Sequence, residues 1–273
     1  MSWLAVGPEL FDADLVVFDK DGTLIDFEYA CGRQVVAGVE RLLAAVGGSD
    51  SLRQDLYRSL GYDVKSSRTY GRGPLATAPM AKLYTIAAVV LYQNGFIWDE
   101  AEAHVKDYFE AGMASIPLRE LVRPVANVKA LLAELRRANV RIAIVTTDDR
   151  LPTQETMNLL GIEELVDFLA CGDDPIRLKP APDAVLKACA HLEVEPARTL
   201  VVGDTVTDML MAERAGVGCR AAVLTGAGSR DSLVTDADVV LNSVAQIRVS
   251  PRDTGLGFGT VGDIWKPGQK ETE

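Results

Sequence analysis

Short apolar runs that end at polar turns give the strongest secondary-structure signal along this chain. The runs DLVVF (14–18), VRIAIVTT (140–147) and TLVVG (199–203) are rich in Val and Ile and are largely continuous. Such runs are typical of parallel strands that are buried on both faces of a sheet. Weaker strand candidates of the same kind are DFLAC (167–171), CRAAVL (219–224) and ADVVL (237–241).

Segments with helical spacing precede two of the strong strands. VKALLAELRRAN (128–139) comes before the second strand, and PDAVLKACAHL (182–192) comes before the third. Strand and helix therefore alternate from about Val125 to Leu241. This alternation predicts an α/β fold, with a doubly wound and mostly parallel sheet that helices cover on both faces.

The stretch between the first strand and this alternation has a different pattern. Residues 28–120 show helical spacing, glycine breaks and no convincing strand. We therefore predict an inserted all-helical domain at 28–120, within an α/β core formed by residues 1–27 and 121–250. The expected helices lie near 30–45, 50–60, 78–94 and 99–112. The segment 251–273 is rich in glycine and charge, and we expect it to be poorly ordered.

Composition narrows the range of partners. The chain has 273 residues, 48% of them hydrophobic, which is enough for a sizeable core. Its net charge of -11 disfavours a general attraction to nucleic acid or to an anionic membrane surface. The most apolar stretch, YTIAAVVLY (84–92), is shorter than a membrane span of about 20 residues and predicts a buried helix. A small-molecule partner is the expectation that remains.

The cysteines and histidines carry little chemical signal. Four cysteines lie far apart without a CxxC pair, and no secretory signal precedes the first strand, which predicts a cytoplasmic protein. The two histidines, His104 and His191, form neither a Ser/Cys/His arrangement nor a metal-binding spacing. We expect both to be packing or surface residues.

Residues suited to handling phosphate occur at four separate points of the chain, at or near the ends of predicted strands. These residues are Asp19, Asp21, Thr146, Lys179, Asp204 and Asp208. In open α/β sheets the ligand crevice forms at the carboxyl ends of the strands, so the side chains are expected to converge there. Each motif alone is weak, because Asp-Gly is a common turn signal and most lysines are merely solvated. The specificity lies in the set and its order.

In sequence order, DxDGT, a strand-end Thr, an isolated Lys and GDxxxD resemble the motifs of the haloacid dehalogenase (HAD) superfamily of phosphohydrolases. The resemblance covers the core from about Asp14 to Val240, and it implies a Rossmann-like core. The helical insertion resembles the C1-type cap of phosphoglycolate phosphatase-like members. The resemblance therefore implies a Mg2+-dependent phosphatase that hydrolyses a small phosphomonoester.

The resemblance also implies catalytic roles. Asp19 matches the nucleophile that attacks phosphorus and forms an aspartyl-phosphate intermediate. Asp21 matches the residue that protonates the leaving oxygen and then deprotonates the attacking water. Lys179 would supply a fixed positive charge to the nucleophile and to the phosphoryl group.

Clustered carboxylates facing a phosphate dianion require a hard cation with oxygen ligands, and Mg2+ suits that requirement. By resemblance, its ligands would be Asp19, the main-chain carbonyl of Asp21, and Asp204. Asp208 matches a position that either reaches the metal through water or orients the lysine.

The remaining expectations concern the substrate. The Thr146 hydroxyl and the main-chain amides of Thr147 and Gly22 are expected to donate to phosphoryl oxygens. Arg68 and Arg72 lie in the loop YDVKSSRTYGRG, where a cap could place cations over a remote anionic group of the substrate; a solvated loop is the alternative. The sequence assigns no role to Lys20.

Two other functions remain open. A phosphotransferase of the β-phosphoglucomutase type shares the core and the cap, although Gly203-Asp204-Thr205 replaces the Glu-Asp pair of those mutases. A phospho-accepting receiver-like signalling protein would also carry an acceptor aspartate, a Thr and a Lys, but its acceptor ends a middle strand.

The expected partner is a small phosphorylated metabolite, neither nucleic acid nor a membrane, and the expected state is a monomer or homodimer.

Overall fold

The computed structural model describes residues 2–250, and the segment 251–273 that we expected to be poorly ordered lies outside them. The strands are β1 Trp3–Val6, β2 Glu9–Asp12, β3 Leu15–Phe18, β4 Tyr62–Asp63, β5 Arg68–Thr69, β6 Arg141–Val145, β7 Phe168–Ala170, β8 Thr199–Gly203, β9 Cys219–Val223, β10 Val239–Leu241 and β11 Ile247–Val249. The α-helices are α1 Phe27–Val46, α2 Asp50–Leu60, α3 Pro74–Thr77, α4 Met80–Gln93, α5 Trp98–His104, α6 Ala111–Met113, α7 Leu118–Leu121, α8 Val128–Arg137, α9 Arg150–Leu160, α10 Asp183–Leu192, α11 Val206–Ala215 and α12 Arg230–Leu233. A π-helical turn at Val105–Glu110 joins α5 to α6, and short 3-10 turns lie at Glu163–Leu165, Pro196–Arg198 and Val244–Gln246.

Six parallel strands form the main sheet, in the order β10-β9-β8-β3-β6-β7. The first of them in the chain, β3, lies inside the sheet and pairs with both β8 and β6, which places Val17 beside Val201 and Ala143. The six strands predicted from apolar runs are confirmed. With helices in the crossovers, they form the doubly wound α/β fold that the sequence predicted.

Alternate residues of β3 contribute to two hydrophobic clusters, one on each face of the main sheet. Val16 and Phe18 belong to the cluster that contains Leu132 of α8. Leu15 and Val17 belong to the cluster formed with α10 and α11. Successive side chains of a strand point to opposite faces, so a strand covered on both faces is apolar throughout.

A second, three-stranded antiparallel sheet has the order β11-β1-β2 and was not predicted from the sequence. Leu4 and Val6 of β1 and Ile247 of β11 are buried in the cluster that covers one face of the main sheet. Each strand has only three or four residues, and β1 pairs with a strand from the other end of the described chain. A local pattern therefore holds little information about this sheet.

Helices α1 to α7, with β4 and β5, follow β3 and are called the helical segment below. Twenty buried residues of this segment form a hydrophobic cluster of their own, separate from the clusters of the main sheet. Its four main helices lie where helical spacing placed them, near 30–45, 50–60, 78–94 and 99–112. The last of these is interrupted by the π-helical turn.

The expectation that residues 28–120 contain no strand is wrong at one place. Tyr62 pairs with Thr69 and Asp63 pairs with Arg68, which makes β4 and β5 a two-residue hairpin. Thr69 donates from its main-chain N and its hydroxyl to the Glu28 carboxylate on α1, at 3.0 and 2.8 Å. This long-range contact fixes the hairpin against α1, and a two-residue strand is too short to produce a periodic signal.

Close packing between α1 and α6 depends on two glycines. A Cβ atom on Gly112 would lie 2.7 Å from the main-chain oxygen of Ala37 and 2.7 Å from the Cα of Gly38. Both obstructing atoms are backbone, so they cannot move aside as a flexible side chain would. The helical segment therefore needs glycine at position 112 for this helix crossing.

No helix among residues 2–250 has the length and apolar character needed to cross a membrane. The apolar stretch 84–92 lies within α4, where Ala87, Val90 and Leu91 are buried in the cluster of the helical segment. The stretch is a helix as predicted, but only one face of it is buried, because Thr85, Val89 and Tyr92 are exposed.

We expect Leu132→Ala to lower the free energy of unfolding by about 2 to 5 kcal/mol, because Leu132 is fully buried and its loss leaves a cavity. Leu186→Ala on α10 is the matched control, since Leu186 is 41% exposed and should lose less than about 1 kcal/mol. Urea unfolding followed by circular dichroism measures both. Equal losses for the two variants would contradict the placement of α8 against the main sheet.

Candidate active site

The carboxyl ends of β3, β6 and β8 bring the predicted phosphate-handling residues to one edge of the main sheet. Asp19 follows β3 directly, Thr146 follows β6, and Asp204 follows β8. A cavity of about 280 Å³ lies over this edge and is lined by residues from both the main sheet and the helical segment. The neighbouring positions of the three strands explain why residues far apart in sequence meet here.

Lys179 joins two of the predicted aspartates. Its Nζ donates to Oδ1 of Asp19 at 2.5 Å and to Oδ1 of Asp208 at 2.6 Å. The other oxygen of Asp208 accepts from the main-chain N of Thr205 at 3.0 Å and from its hydroxyl at 2.5 Å, as part of the capping box that starts α11. Asp208 is thereby fixed by the helix start and holds the lysine beside Asp19.

Three buried carboxylates form a compact acidic cluster. Asp19, Asp204 and Asp208 each offer an oxygen atom, and these oxygens all lie within 4.8 Å of one another. Burial raises the pKa of Asp19 to about 7, although Lys179 opposes this rise. Burial, together with the negative charges of Asp19 and Asp208, also raises the pKa of Asp204 well above its usual value. The negative charge of the cluster thus exceeds what one lysine balances, and the oxygen donor set fits a hard divalent cation.

Lys20, to which the sequence assigned no role, is buried in the site. Its Nζ lies 2.8 and 2.7 Å from the two carboxylate oxygens of Asp21 and 3.1 Å from Oδ2 of Asp148. Burial alone would lower the pKa of Lys20, but the two carboxylates outweigh it and the pKa is raised. Lys20 follows the end of β3, so the alternation of the strand did not predict its partners.

Asp21 lines the cavity two residues after Asp19. Burial raises the pKa of Asp21, and the charge of Lys20 acts in the opposite direction. A carboxyl group with a raised pKa stays protonated at pH values nearer to neutral. A group that donates a proton to a leaving group requires this property.

Gly22 permits the turn that follows Asp21. Its φ is 82°, and a Cβ atom would lie 2.5 Å from Oδ2 of Asp204 and 2.7 Å from the Cα of Gly226. The expected donation of the Gly22 amide to phosphate is not supported, because this amide donates to the carbonyl of Ile25 at 2.8 Å. Gly22 therefore contributes to the site through its positive φ and its lack of a side chain, which let Asp204 and Gly226 lie close to it.

The loop after β9, residues 225–228, contacts both Gly22 and Asp204, and no sequence pattern predicted this role. The Thr225 hydroxyl donates to the Gly22 carbonyl at 2.5 Å, and the main-chain N of Ala227 donates to Oδ2 of Asp204 at 2.8 Å. A Cβ atom on Gly226 would overlap the Asp204 carboxylate. The glycines of TGAG were the one sequence feature that could have indicated this loop, since glycine lets the backbone lie close to the Asp204 carboxylate.

The other predicted substrate residues are placed differently. Thr147 lines the cavity, whereas Thr146 is buried and is not among the lining residues; its hydroxyl accepts from the main-chain N of Asp148 at 3.1 Å. Arg68 and Arg72 are exposed and are not among the residues that line the cavity in the described part of the chain. The structure therefore does not bring the two arginines to the carboxylates, and their substrate role stays a prediction.

The histidines are in packing positions. The ring of His104 lies 5.8 Å from the rings of Phe96 and Tyr108, and that of His191 lies 5.6 Å from Phe168. Neither lines the cavity, which agrees with the expectation for them.

Comparison with known proteins finds relatives over most of the chain. The sequence is 29% identical to a validoxylamine A 7'-phosphate phosphatase of Streptomyces hygroscopicus subsp. limoneus, over 86% of this chain and 95% of that protein. It is 26% identical to a phosphoglycolate phosphatase of Cupriavidus necator, over 84% of this chain and 89% of that protein.

Solved structures share the fold. The structure of a predicted phosphoglycolate phosphatase from Haemophilus somnus superimposes with a TM-score of 0.64 and 20% sequence identity. The match covers 86% of this chain and 96% of that one. A haloacid dehalogenase-like hydrolase from Bacteroides fragilis superimposes with a TM-score of 0.62, also at 20% identity, over 86% of this chain and 99% of that one.

The family model of haloacid dehalogenase-like hydrolases matches residues 13–216, a range that contains Asp19, Lys179, Asp204 and Asp208. The predicted resemblance is confirmed, and so is the prediction of an enzyme of the phosphatase type. This chain belongs to the family of haloacid dehalogenase-like hydrolases.

Proposed function

We propose that this enzyme is a Mg2+-dependent phosphatase that hydrolyses a small phosphomonoester through an aspartyl-phosphate on Asp19. The observation that carries the proposal is the contact of Lys179 with Asp19 and Asp208, beside Asp204, at the floor of the cavity. The contact holds one oxygen of Asp19 and leaves the other available to attack. The names of the relatives, which are phosphatases of validoxylamine A 7'-phosphate and of phosphoglycolate, support a phosphomonoester as substrate.

The first chemical step is attack by the free carboxylate oxygen of Asp19 on phosphorus. The bond between phosphorus and the leaving oxygen breaks, and the protonated Asp21 gives its proton to that oxygen, so the alcohol leaves neutral. In the second step the Asp21 carboxylate takes a proton from water, and the water oxygen attacks phosphorus. Inorganic phosphate leaves, and the Asp19 carboxylate is restored.

The chain's own donors stabilise the charge that moves during both steps. Lys179 places a fixed positive charge beside the attacking oxygen, because Asp208 holds its ammonium group in place. We propose that the Thr146 hydroxyl and the Thr147 amide donate to phosphoryl oxygens from the end of β6. Gly22 is not proposed to donate to the phosphoryl group; it contributes by permitting the turn that follows Asp21.

Asp19, Asp204 and the main-chain carbonyl of Asp21 would hold Mg2+, with Asp208 as an additional or indirect ligand. Bound there, the cation would neutralise the carboxylates and polarise the phosphoryl oxygens. The compact arrangement of the three buried carboxylates and the raised pKa values of Asp19 and Asp204 support this assignment.

We propose that residues 28–120 form a cap over an α/β core of residues 1–27 and 121–250. The separate hydrophobic cluster of the helical segment supports this division. Residues on both sides line the cavity, so a cap closed over a substrate would exclude water from the reacting groups and favour small leaving groups. The buried, unpaired state of all four cysteines supports a cytoplasmic location.

We expect Asp19→Asn to lower phosphate release by more than about a thousandfold, because the amide cannot act as the nucleophile. The assay measures phosphate released from para-nitrophenyl phosphate and a panel of phosphomonoesters with Mg2+. Asp99→Asn is the matched control, since Asp99 is exposed in the first turn of α5 and does not line the cavity.

Substantial activity in a folded Asp19→Asn variant would contradict the nucleophile assignment. Accumulation of an isomer from a sugar 1-phosphate, without phosphate release, would favour the phosphotransferase instead. A stable phosphorylated chain without turnover would favour the receiver-like protein.

We expect Mg2+ to raise the melting temperature more at about pH 8 than at about pH 5.5. The pKa of Asp19 is raised to about 7, so below that pH the cation must displace a proton from the cluster. The same raised pKa means that the folded protein without metal holds a proton that the unfolded chain has lost. The cluster therefore contributes stability below about pH 4 that is lost as the pH rises towards 7.

Asp204→Asn is the matched variant for this test. It removes one excess negative charge from the cluster and retains an oxygen that can accept from Ala227. We expect it to melt at a higher temperature than the unsubstituted protein without Mg2+ at about pH 8, and to gain less from added Mg2+. Thermal scanning with and without Mg2+ measures both effects. If Mg2+ raises the melting temperature equally at both pH values and equally in Asp204→Asn, the cation binds elsewhere.

A further inference from the structure

The charged residues that line the cavity are unevenly balanced. Among residues 2–250, six carboxylates line it, against two ammonium groups. The carboxylates are those of Asp19, Asp21, Asp148, Asp149, Asp204 and Asp208. One divalent cation at the acidic cluster reduces this excess of negative charge but does not reverse it.

Both lining cations are already neutralised by carboxylates of the protein. Lys179 lies between Asp19 and Asp208, and Lys20 lies between Asp21 and Asp148. Each ammonium group is nearly buried, with 4% or 5% of its side chain exposed. Neither lysine is therefore available as the counter-ion for a second anionic group of a substrate.

The cavity wall beyond β6 adds negative charge. Asp149 follows Asp148, and its carboxylate makes no hydrogen bond or ion pair among the residues that the structure describes. Asp149 is an exposed residue, and partial burial of its carboxyl group together with the charges of Asp148 and Asp173 raises its pKa above the usual value. An anionic part of a substrate placed near this wall would be repelled by the two carboxylates, and this wall has no compensating cation in the described part of the chain.

The wall contributed by the helical segment is apolar with a few neutral polar groups. Its apolar part includes Phe27, Leu75, Met80, Leu83, Met113 and Leu118. Gln34, Thr77 and Tyr84 supply its amide and hydroxyl groups. Burial, with the charges of Glu110, Asp149 and Asp148, raises the pKa of Tyr84 to about 12, so its hydroxyl stays a neutral donor. No cation of the helical segment lines the cavity within the described residues.

We propose that the substrate is a phosphomonoester of an uncharged, hydroxyl-bearing alcohol, and that the cavity discriminates against leaving groups with a carboxylate or a second phosphate. Hydroxyl groups can donate to Asp148 and Asp149 and can pair with the neutral groups of the helical segment. A carboxylate at the same place would leave its charge unpaired beside these aspartates. This inference rests on the proposed phosphatase function and names the substrate class of the same site.

Matched substrate pairs test the proposal with the full chain and Mg2+. Phosphoglycolate and 2-hydroxyethyl phosphate differ only in a carboxylate that replaces a hydroxymethyl group, and 3-phosphoglycerate and glycerol phosphate form a second such pair. We expect kcat/KM for the uncharged member of each pair to be higher by about tenfold or more. Para-nitrophenyl phosphate serves as the reference substrate for phosphatase activity.

Two variants link the preference to the cavity wall. Asp149→Asn removes one lining charge with little change of shape, and we expect it to narrow the ratio within each pair by about threefold. Gln34→Lys introduces a cation on the wall of the helical segment and should narrow the ratio similarly, whereas Gln34→Met of similar length should not. The ratio compares two substrates on one enzyme preparation, so partial misfolding of a variant does not change it.

The outcomes separate this proposal from the function on which it rests. A higher or equal kcat/KM for the carboxylate member of both pairs, with para-nitrophenyl phosphate hydrolysed, would overturn the substrate class and leave the phosphatase function intact. Absence of hydrolysis for every substrate would overturn the phosphatase function and this proposal with it. Ratios unchanged in both Asp149→Asn and Gln34→Lys would show that the cavity wall does not select the leaving group.

Discussion

The buried contact of Lys179 with Asp19 and Asp208 is the interaction on which the rest of the site depends. Three carboxylates within 4.8 Å of one another repel in a buried environment, and one ammonium group offsets only part of that repulsion. Asp208 holds the lysine because its own second oxygen is fixed by the capping box of α11. Burial and the neighbouring carboxylates raise the pKa values of Asp19 and Asp204, and the oxygen donors of the cluster fit a divalent cation.

The arrangement of the sheet makes this contact available. β3 lies between β6 and β8, so the residues that follow all three strands meet at one edge. The loop 225–228 then packs on Gly22 and Asp204, and glycine at 22 and 226 allows contact distances that a Cβ atom would prevent. The helical segment lies over the same edge and contributes an apolar wall. Charge is thus concentrated at the floor of the cavity, and apolar and neutral groups line its upper part.

Local periodicity predicted most of the fold but missed the elements that long-range pairing creates. The six strands of the main sheet are largely apolar because helices cover both faces, so each strand could be predicted from its own residues. The sheet of β11, β1 and β2 joins strands from the two ends of the described chain, and the hairpin of β4 and β5 has two residues per strand. Such short strands gain their stability from partners, which no local window contains.

The sequence by itself determined which residues could perform the chemistry, because Asp19, Asp21, Lys179 and Asp204 were identifiable by residue type, order and position near strand ends. Tertiary structure decided which groups are free and which are occupied. Lys20 is neutralised by Asp21 and Asp148, and the Gly22 amide is used within its own turn. Arg68 and Arg72 lie outside the cavity wall. The physical reason is that the free charge and hydrogen-bonding capacity of a group depend on its neighbours in space, and some of these neighbours, such as Asp148 beside Lys20, come from distant parts of the chain.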